Sequence, residues 1–185
     1  YFKQARDGKA GYQYAVGKVS KVPGLYYSYP VQDKRGAFIG AVVVKRDITA
    51  FQRWTRPNTA FLVDDRGVVI LAEDGKLMFK TMPTATVDQL SKEARMSRYK
   101  RESFDALSMS HWGRHDSREL LTFAGGAVPS LLLSRTLAGG GVQVYLPKPL
   151  PELLRIEGQR PWSFLLIALA GAMLIIALFA AALYV

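Results

Sequence analysis

Residues 25–48 read LYYSYPVQDKRGAFIGAVVVKRDI, and this stretch decides the fold. Two runs rich in aromatic and β-branched residues, Leu25–Val31 and Ala37–Ile48, flank the turn-forming Gln32–Gly36. That order predicts an antiparallel hairpin. Just upstream, Tyr12–Gly17 (YQYAVG) reads as another strand and Lys18–Gly24 (KVSKVPG) as a loop. If Val31 and Ala37 close the hairpin, Lys45 lies opposite about Pro23, beside the KVSK loop. A period of two then sets Ala41, Val43 and Lys45 on one face of the third strand. On the second strand Tyr27 and Tyr29 share one face, and Tyr26 and Ser28 the other. An ammonium, a hydroxyl and loop N–H groups near aromatic rings suit a small carboxylate, because charge-assisted hydrogen bonds are the stronger kind. A solvated lysine at a strand end is the plain alternative.

Downstream, Ile48–Trp54 is helix-permissive and Arg56–Asn58 breaks it. A second unit opens with Ala60–Asp65 and Gly67–Glu73, two strands around a tight turn at Asp65–Gly67. Thr86–Tyr99 is polar and helix-permissive. Ser117–Phe123, Ser130–Leu137 and Gly141–Leu146 alternate as strands do, punctuated by Gly125-Gly126 and Gly139–Gly141. Pro149–Arg160 reads as a helix start. It leads into Pro161–Val185, which carries no charged residue. Such a run is long enough to cross a hydrocarbon core of roughly 30 Å. Trp162 and Tyr184 suit the two interfaces. The chain opens at Tyr1 and stops at Val185 without a polar residue after the apolar run, which reads as a piece of a longer protein.

The organisation expected is therefore α+β. It comprises two tandem units with antiparallel sheets (1–58 and 59–148), a juxtamembrane helix (149–160) and one C-terminal transmembrane helix (161–185). The formal net charge is +10, and residues 1–60 hold eleven Lys/Arg against three Asp/Glu. A basic first third attracts anions: a small acid, phospholipid headgroups or nucleic acid. No nucleic-acid-binding motif accompanies the scattered basic residues, which argues against that partner.

The search for catalytic chemistry is mostly negative. With no cysteine there is no disulfide, thiolate nucleophile or cysteine zinc site. His111 and His115 in HWGRH have i, i+4 spacing, but Gly113 interrupts it and no acidic base is placed as in HExxH. Asp64, Asp65, Glu73 and Asp74 surround a β-turn, and turn chemistry accounts for them. No cofactor is expected within these residues.

Three ordered segments carry a family resemblance: YFKQARDGKAGYQYAVGKVSKVPGLYYSYPV, GAFIGAVVVKRDI and FLVDDRGVVILAED. Together they resemble the double Cache sensor domains, the tandem PAS-like periplasmic modules of bacterial receptors. The resemblance extends to the C4-dicarboxylate sensor histidine kinases of the DctB type. It implies Ser20 as the ligand-loop hydroxyl, Lys45 as the strand lysine that meets a carboxylate, and Tyr1 at the pocket's edge. Val19 stands where the dicarboxylate sensors tend to have a second hydroxyl, flanked by Lys18 and Lys21. The candidate ligand-binding set is thus Lys45, Ser20, Tyr1, Val19, Lys18, Tyr27 and Ser28. The resemblance further implies a preceding long helix and membrane span, a homodimer, and a cytoplasmic transmitter that uses ATP and addresses a response regulator. Sensor regions of diguanylate cyclases and chemoreceptors are the neighbouring alternatives; a membrane-anchored enzyme is the remote one. Arg155 and Arg160 flank the apolar run, but a lysine-arginine count carries little weight beside a translocated domain of this size. An extracytoplasmic placement in a bacterial inner membrane follows from the resemblance instead.

Overall fold

A computed structural model describes residues 1–17, 20, 22–55, 59–112, 120–123, 126–137 and 140–183. A short helix α1 (Phe2–Arg6) leads into a three-stranded antiparallel sheet, β1 (Gly11–Val16), β2 (Pro23–Gln32) and β3 (Phe38–Asp47), in that spatial order. A 3₁₀ turn (Ile48–Phe51) and the short helix α2 (Gln52–Thr55) follow. The second sheet has six strands in the order β5-β4-β9-β8-β7-β6. These are β4 (Phe61–Val63), β5 (Val69–Ala72), β6 (Met109–His111), β7 (Leu120–Phe123), β8 (Ser130–Thr136) and β9 (Gln143–Pro149). Helix α3 (Lys92–Tyr99) lies between β5 and β6 in sequence and packs against β1. The α+β architecture with antiparallel sheets and one apolar C-terminal helix is the one expected.

The hairpin register differs from expectation. Lys45 pairs with Tyr26, three residues from the expected Pro23. Asp33 explains the shift. Its Oδ1 accepts from the N–H groups of Arg35 (2.8 Å) and Ala37 (2.9 Å), so the turn is an Asx turn starting at Asp33. Gln32 then pairs with Phe38, and a bulge follows at Val31/Gln32. An odd shift reverses the faces. Ser28 and Tyr26 therefore share the face of Val43 and Lys45, whereas Tyr27, opposite Val44, points the other way.

The two sheets share a core. Tyr14, Leu25, Ile48 and Phe51, from the three-stranded sheet and the 3₁₀ turn after it, pack with Leu62, Val68, Ile70, Val87, Tyr99 and Val142, from the six-stranded sheet and the segments beside it. A smaller cluster, Phe61, Val63, Val69, Met82 and Leu107, lies on the other side of β4. All three residues of β4 are buried, as expected of an interior strand between two apolar layers.

The turn between β4 and β5 is held as the acidic run predicts. Asp64 Oδ1 accepts from the N–H groups of Arg66 (2.9 Å) and Val68 (3.0 Å). Beyond β5, Asp74 caps the 3₁₀ turn Gly75–Leu77, its Oδ1 accepting from the Lys76 N–H at 2.9 Å. Of Thr86–Tyr99, only Lys92–Tyr99 is α-helical. Ser91 caps it, accepting from the Ala94 N–H at 3.2 Å. His111 lies on β6, so the helical i, i+4 spacing does not arise; His115 lies outside the described residues.

The last helix, α4 (Pro151–Leu183), is continuous over 33 residues. It starts two residues later than expected, because Lys148 and Pro149 remain in the β8–β9 ladder opposite Leu131 and Ser130. Pro151 takes the first helical position, where its missing N–H costs no intrahelical bond. Within α4, Phe164–Ala181 is apolar, unburied by the rest of the chain, and long and apolar enough to cross a membrane. Tyr184 lies outside the described residues.

Candidate functional site

Gln13 and Tyr26, paired across β1 and β2, form one wall of a cleft of about 460 Å³; Lys45 shares their face of the sheet and adjoins the cleft through Ser20 without lining it. Ala15 and Gly17 extend the wall along the end of β1, Ser20 lies at the loop, and Ser97 and Arg98 of α3 close the other side. Tyr1 stacks on Tyr26, ring centroids 5.4 Å apart at 15°, and both rings line the cleft. Ser28 sits on the same face but is buried: its hydroxyl donates to the Tyr1 carbonyl (2.8 Å) and approaches that of Gly11 (3.3 Å). Its contacts hold the start of the chain against β1 and β2.

Lys45 reaches Ser20 across 25 residues of sequence. Its Nζ donates to Ser20 Oγ at 3.3 Å and pairs with Asp47 Oδ1 at 3.0 Å. Gly24, beside it on β2, makes room for the lysine stem, because a Cβ there would stand 2.8 Å from Lys45 Cε. The loop carrying Ser20 is closed at its base by the Gly17 N–H donating to the Val22 carbonyl at 3.1 Å. The Lys45 and Asp47 side chains are 27% and 54% exposed, and so accessible a pair contributes only about 0–1 kcal/mol.

Four of the seven candidate residues thus gather on one face: Lys45, Ser20, Tyr1 and Ser28. Tyr27 does not join them, for the register reason above. Its side chain packs against the shared core instead. Lys18 and Val19, with Lys21, lie outside the described residues. The structure adds Tyr26, Gln13 and Arg98, which the sequence reading did not select. Tyr26 was concealed by the register. Arg98 sits in a polar helical run, and its partners lie more than 30 residues away.

Arg98 joins the cleft to the turn between β4 and β5. It is 7% exposed, and its guanidinium donates to Asp64 (2.9 Å) and, in a very short contact, to Asp65. The Tyr99 hydroxyl donates to Asp64 Oδ2 at 2.6 Å, and the Tyr99 ring stacks on Tyr14 at 5.9 Å. Burial raises the Asp64 carboxyl above its ordinary range, against the pull of the Arg98 guanidinium and the Tyr99 hydroxyl. Burial, reinforced by the Asp64 charge, pushes the Tyr14 hydroxyl up to about 12 and raises Tyr99 as well. Among the described residues no group of three or more His, Asp or Glu side chains is placed to hold a metal ion.

No family model and no curated protein sequence matches the chain. Solved structures do match it in fold. The sensor domain of the Vibrio cholerae histidine kinase DctB superposes with a TM-score of 0.58 at 19% identity, over 81% of this chain and 59% of that one. The extracellular domain of the putative histidine kinase mmHK1S-Z2 gives 0.54 at 14% identity, over 83% and 56%. The periplasmic domain of RsbU from Chlamydia trachomatis gives 0.52 at 10% identity, over 79% and 56%. The chain spans a little over half the length of each of these domains. Its fold is that of the sensor domains of histidine kinases, followed by one helix long and apolar enough to cross a membrane.

Proposed function

We propose that this chain is the extracytoplasmic sensing region of a transmembrane receptor, built as a double Cache module. It binds a small organic anion, a carboxylate such as a C4-dicarboxylate, in the cleft beside Lys45. The observation that carries the reading is the Lys45–Ser20 hydrogen bond beside a cleft walled by Tyr1, Tyr26 and Gln13. An ammonium and a hydroxyl converging there offer one carboxylate two donors, and the aromatic rings cover the carbon skeleton. The cleft volume falls within the range of about 300–1,000 Å³ typical of small-molecule sites.

Signal passage follows from the same arrangement. The ligand shifts the balance between two conformations only by its different affinity for each. The shared core and the Arg98 pairs with Asp64 and Asp65 give the cleft a mechanical link to the six-stranded sheet. That sheet continues through β9 into α4, the proposed membrane span, with the sensing units outside the bacterial inner membrane. The sequence resemblance favours a homodimeric histidine kinase as the parent protein. Its ATP-using transmitter and response-regulator contact lie in a part of the protein outside this sequence.

A thermal-shift screen of the full chain in detergent against C2–C6 mono- and dicarboxylates tests this reading. At least one carboxylate should raise the melting temperature in proportion to the logarithm of its concentration, as expected of a ligand that binds the native state. A panel in which every member leaves the melting temperature unchanged would sink the proposal.

A further inference from the structure

We infer that Asp47 is the resident counter-ion of the carboxylate site, a built-in competitor that lowers the site's affinity for its ligand. The inference rests on the reading of Lys45 as the ligand-binding lysine. The period of two on β3 sets Lys45 and Asp47 on one face, and Asp47 Oδ1 lies 3.0 Å from Lys45 Nζ. Lys45 Nζ also donates to Ser20 Oγ, so two of its three N–H donors are committed.

The position of Asp47 sharpens the point. It precedes the 3₁₀ turn Ile48–Phe51 with extended backbone, the place from which an aspartate ordinarily caps a helix, yet its side chain makes no cap bond. Its carboxylate is turned to the lysine instead. An incoming carboxylate therefore meets an ammonium already paired with a like group. It must displace Asp47 or share Lys45 with it against charge repulsion. Both lower affinity, and both select for ligands that bring further contacts into the cleft, at Tyr26 or Gln13.

Calorimetric titration of the full chain in detergent with succinate as the probe tests this. Asp47→Asn keeps the shape and removes the charge, and should bind succinate about three- to tenfold more tightly than wild type, the range open to a partly exposed pair plus the lost repulsion. Asp47→Ser should do the same, which guards against a fault peculiar to one variant. Glu73→Gln, an equal charge change on an exposed residue just after β5, should stay within about twofold of wild type. Equal or weaker succinate binding by both Asp47 variants overturns the inference, as does equal tightening by Glu73→Gln. Weakened binding by Lys45→Ala in the same series would show that the lysine site itself survives. Unchanged binding by Lys45→Ala, or no binding by any variant, overturns the site and the inference together.

Discussion

The ring of Tyr14 stacks on the ring of Tyr99 at 5.9 Å, yet only one of the two hydroxyls has a partner. Tyr99 donates to Asp64 at 2.6 Å, whereas the buried Tyr14 hydroxyl meets no hydrogen-bonding atom among the described residues. The two phenols occupy one core and should respond oppositely to loss of the oxygen. Tyr99→Phe removes a donor to a carboxylate and should cost about 1.5–3 kcal/mol. Tyr14→Phe removes an orphaned polar group and should be neutral, or stabilising by up to about 1 kcal/mol. Denaturant unfolding of both variants checks this, and a larger loss for Tyr14→Phe would contradict the packing described.

The same pair sets a response to alkali. The Tyr14 hydroxyl rises from its ordinary 10.0 to about 12 in the folded chain, chiefly through burial. A phenol whose folded value is raised gives its full stabilisation below the unfolded value. That stabilisation is lost as pH rises through the folded value, because the unfolded chain ionises first. Unfolding free energy should therefore fall between about pH 10 and 12, with roughly 2–3 kcal/mol of the loss traceable to Tyr14. Tyr14→Phe should flatten the profile by that amount when both proteins are unfolded in urea across this range. A slope identical to wild type would rule out the burial argument.

Gly141 lies under the ring of Tyr12, tying the β8–β9 turn to β1. A Cβ built on Gly141 would fall 1.5 Å from the ring carbons, and its backbone φ is +72°. Its neighbour Gly140 also has a positive φ, +81°, but a Cβ there would meet Tyr12 only at 3.8 Å. Gly140→Ala should lose about 1–2 kcal/mol for its backbone conformation alone. Gly141→Ala adds steric overlap of about 1–3 kcal/mol. Paired melting curves that show equal losses would mean Tyr12 does not press on this turn.

Much of the fold was legible because side-chain chemistry and local structure agree. The β-branched run Ala41–Val44 with the aromatic run Leu25–Tyr29 leaves little choice but paired strands, and the uncharged run after Arg160 leaves little but an apolar helix. The register was not legible. It depends on which residue starts the turn, and Asp33, through two hydrogen bonds from its own carboxylate, moves the pairing by three places. That shift replaced Tyr27 by Tyr26 in the candidate site. Strand β6 was hidden because Met109–His111 has no alternation to mark it, and it is held through Thr122 and the neighbouring rungs of β7. The Arg98 network was invisible for another reason. An arginine and two aspartates more than 30 residues apart become a buried cluster only after α3 docks on β1.

Ser20 should matter less than Lys45. A neutral hydroxyl contributes one hydrogen bond of about 0.5–1.5 kcal/mol, so Ser20→Ala should weaken carboxylate binding by roughly two- to tenfold. Its loss also frees the loop at the Val22 N–H, which lies 3.4 Å from Ser20 Oγ. Competition binding with wild type and Ser20→Ala would measure the effect; tighter binding by the variant would remove Ser20 from the site.

The charge of Lys45 is the centre of the account. Calorimetric titration of the wild-type chain and of Lys45→Ala with the carboxylate that stabilises the wild type best tests it most directly. The account predicts a loss of at least tenfold in affinity for Lys45→Ala, since a charged hydrogen bond is worth about 1.5–3 kcal/mol, with recovery of most of it in Lys45→Arg. Wild-type affinity in Lys45→Ala would contradict it.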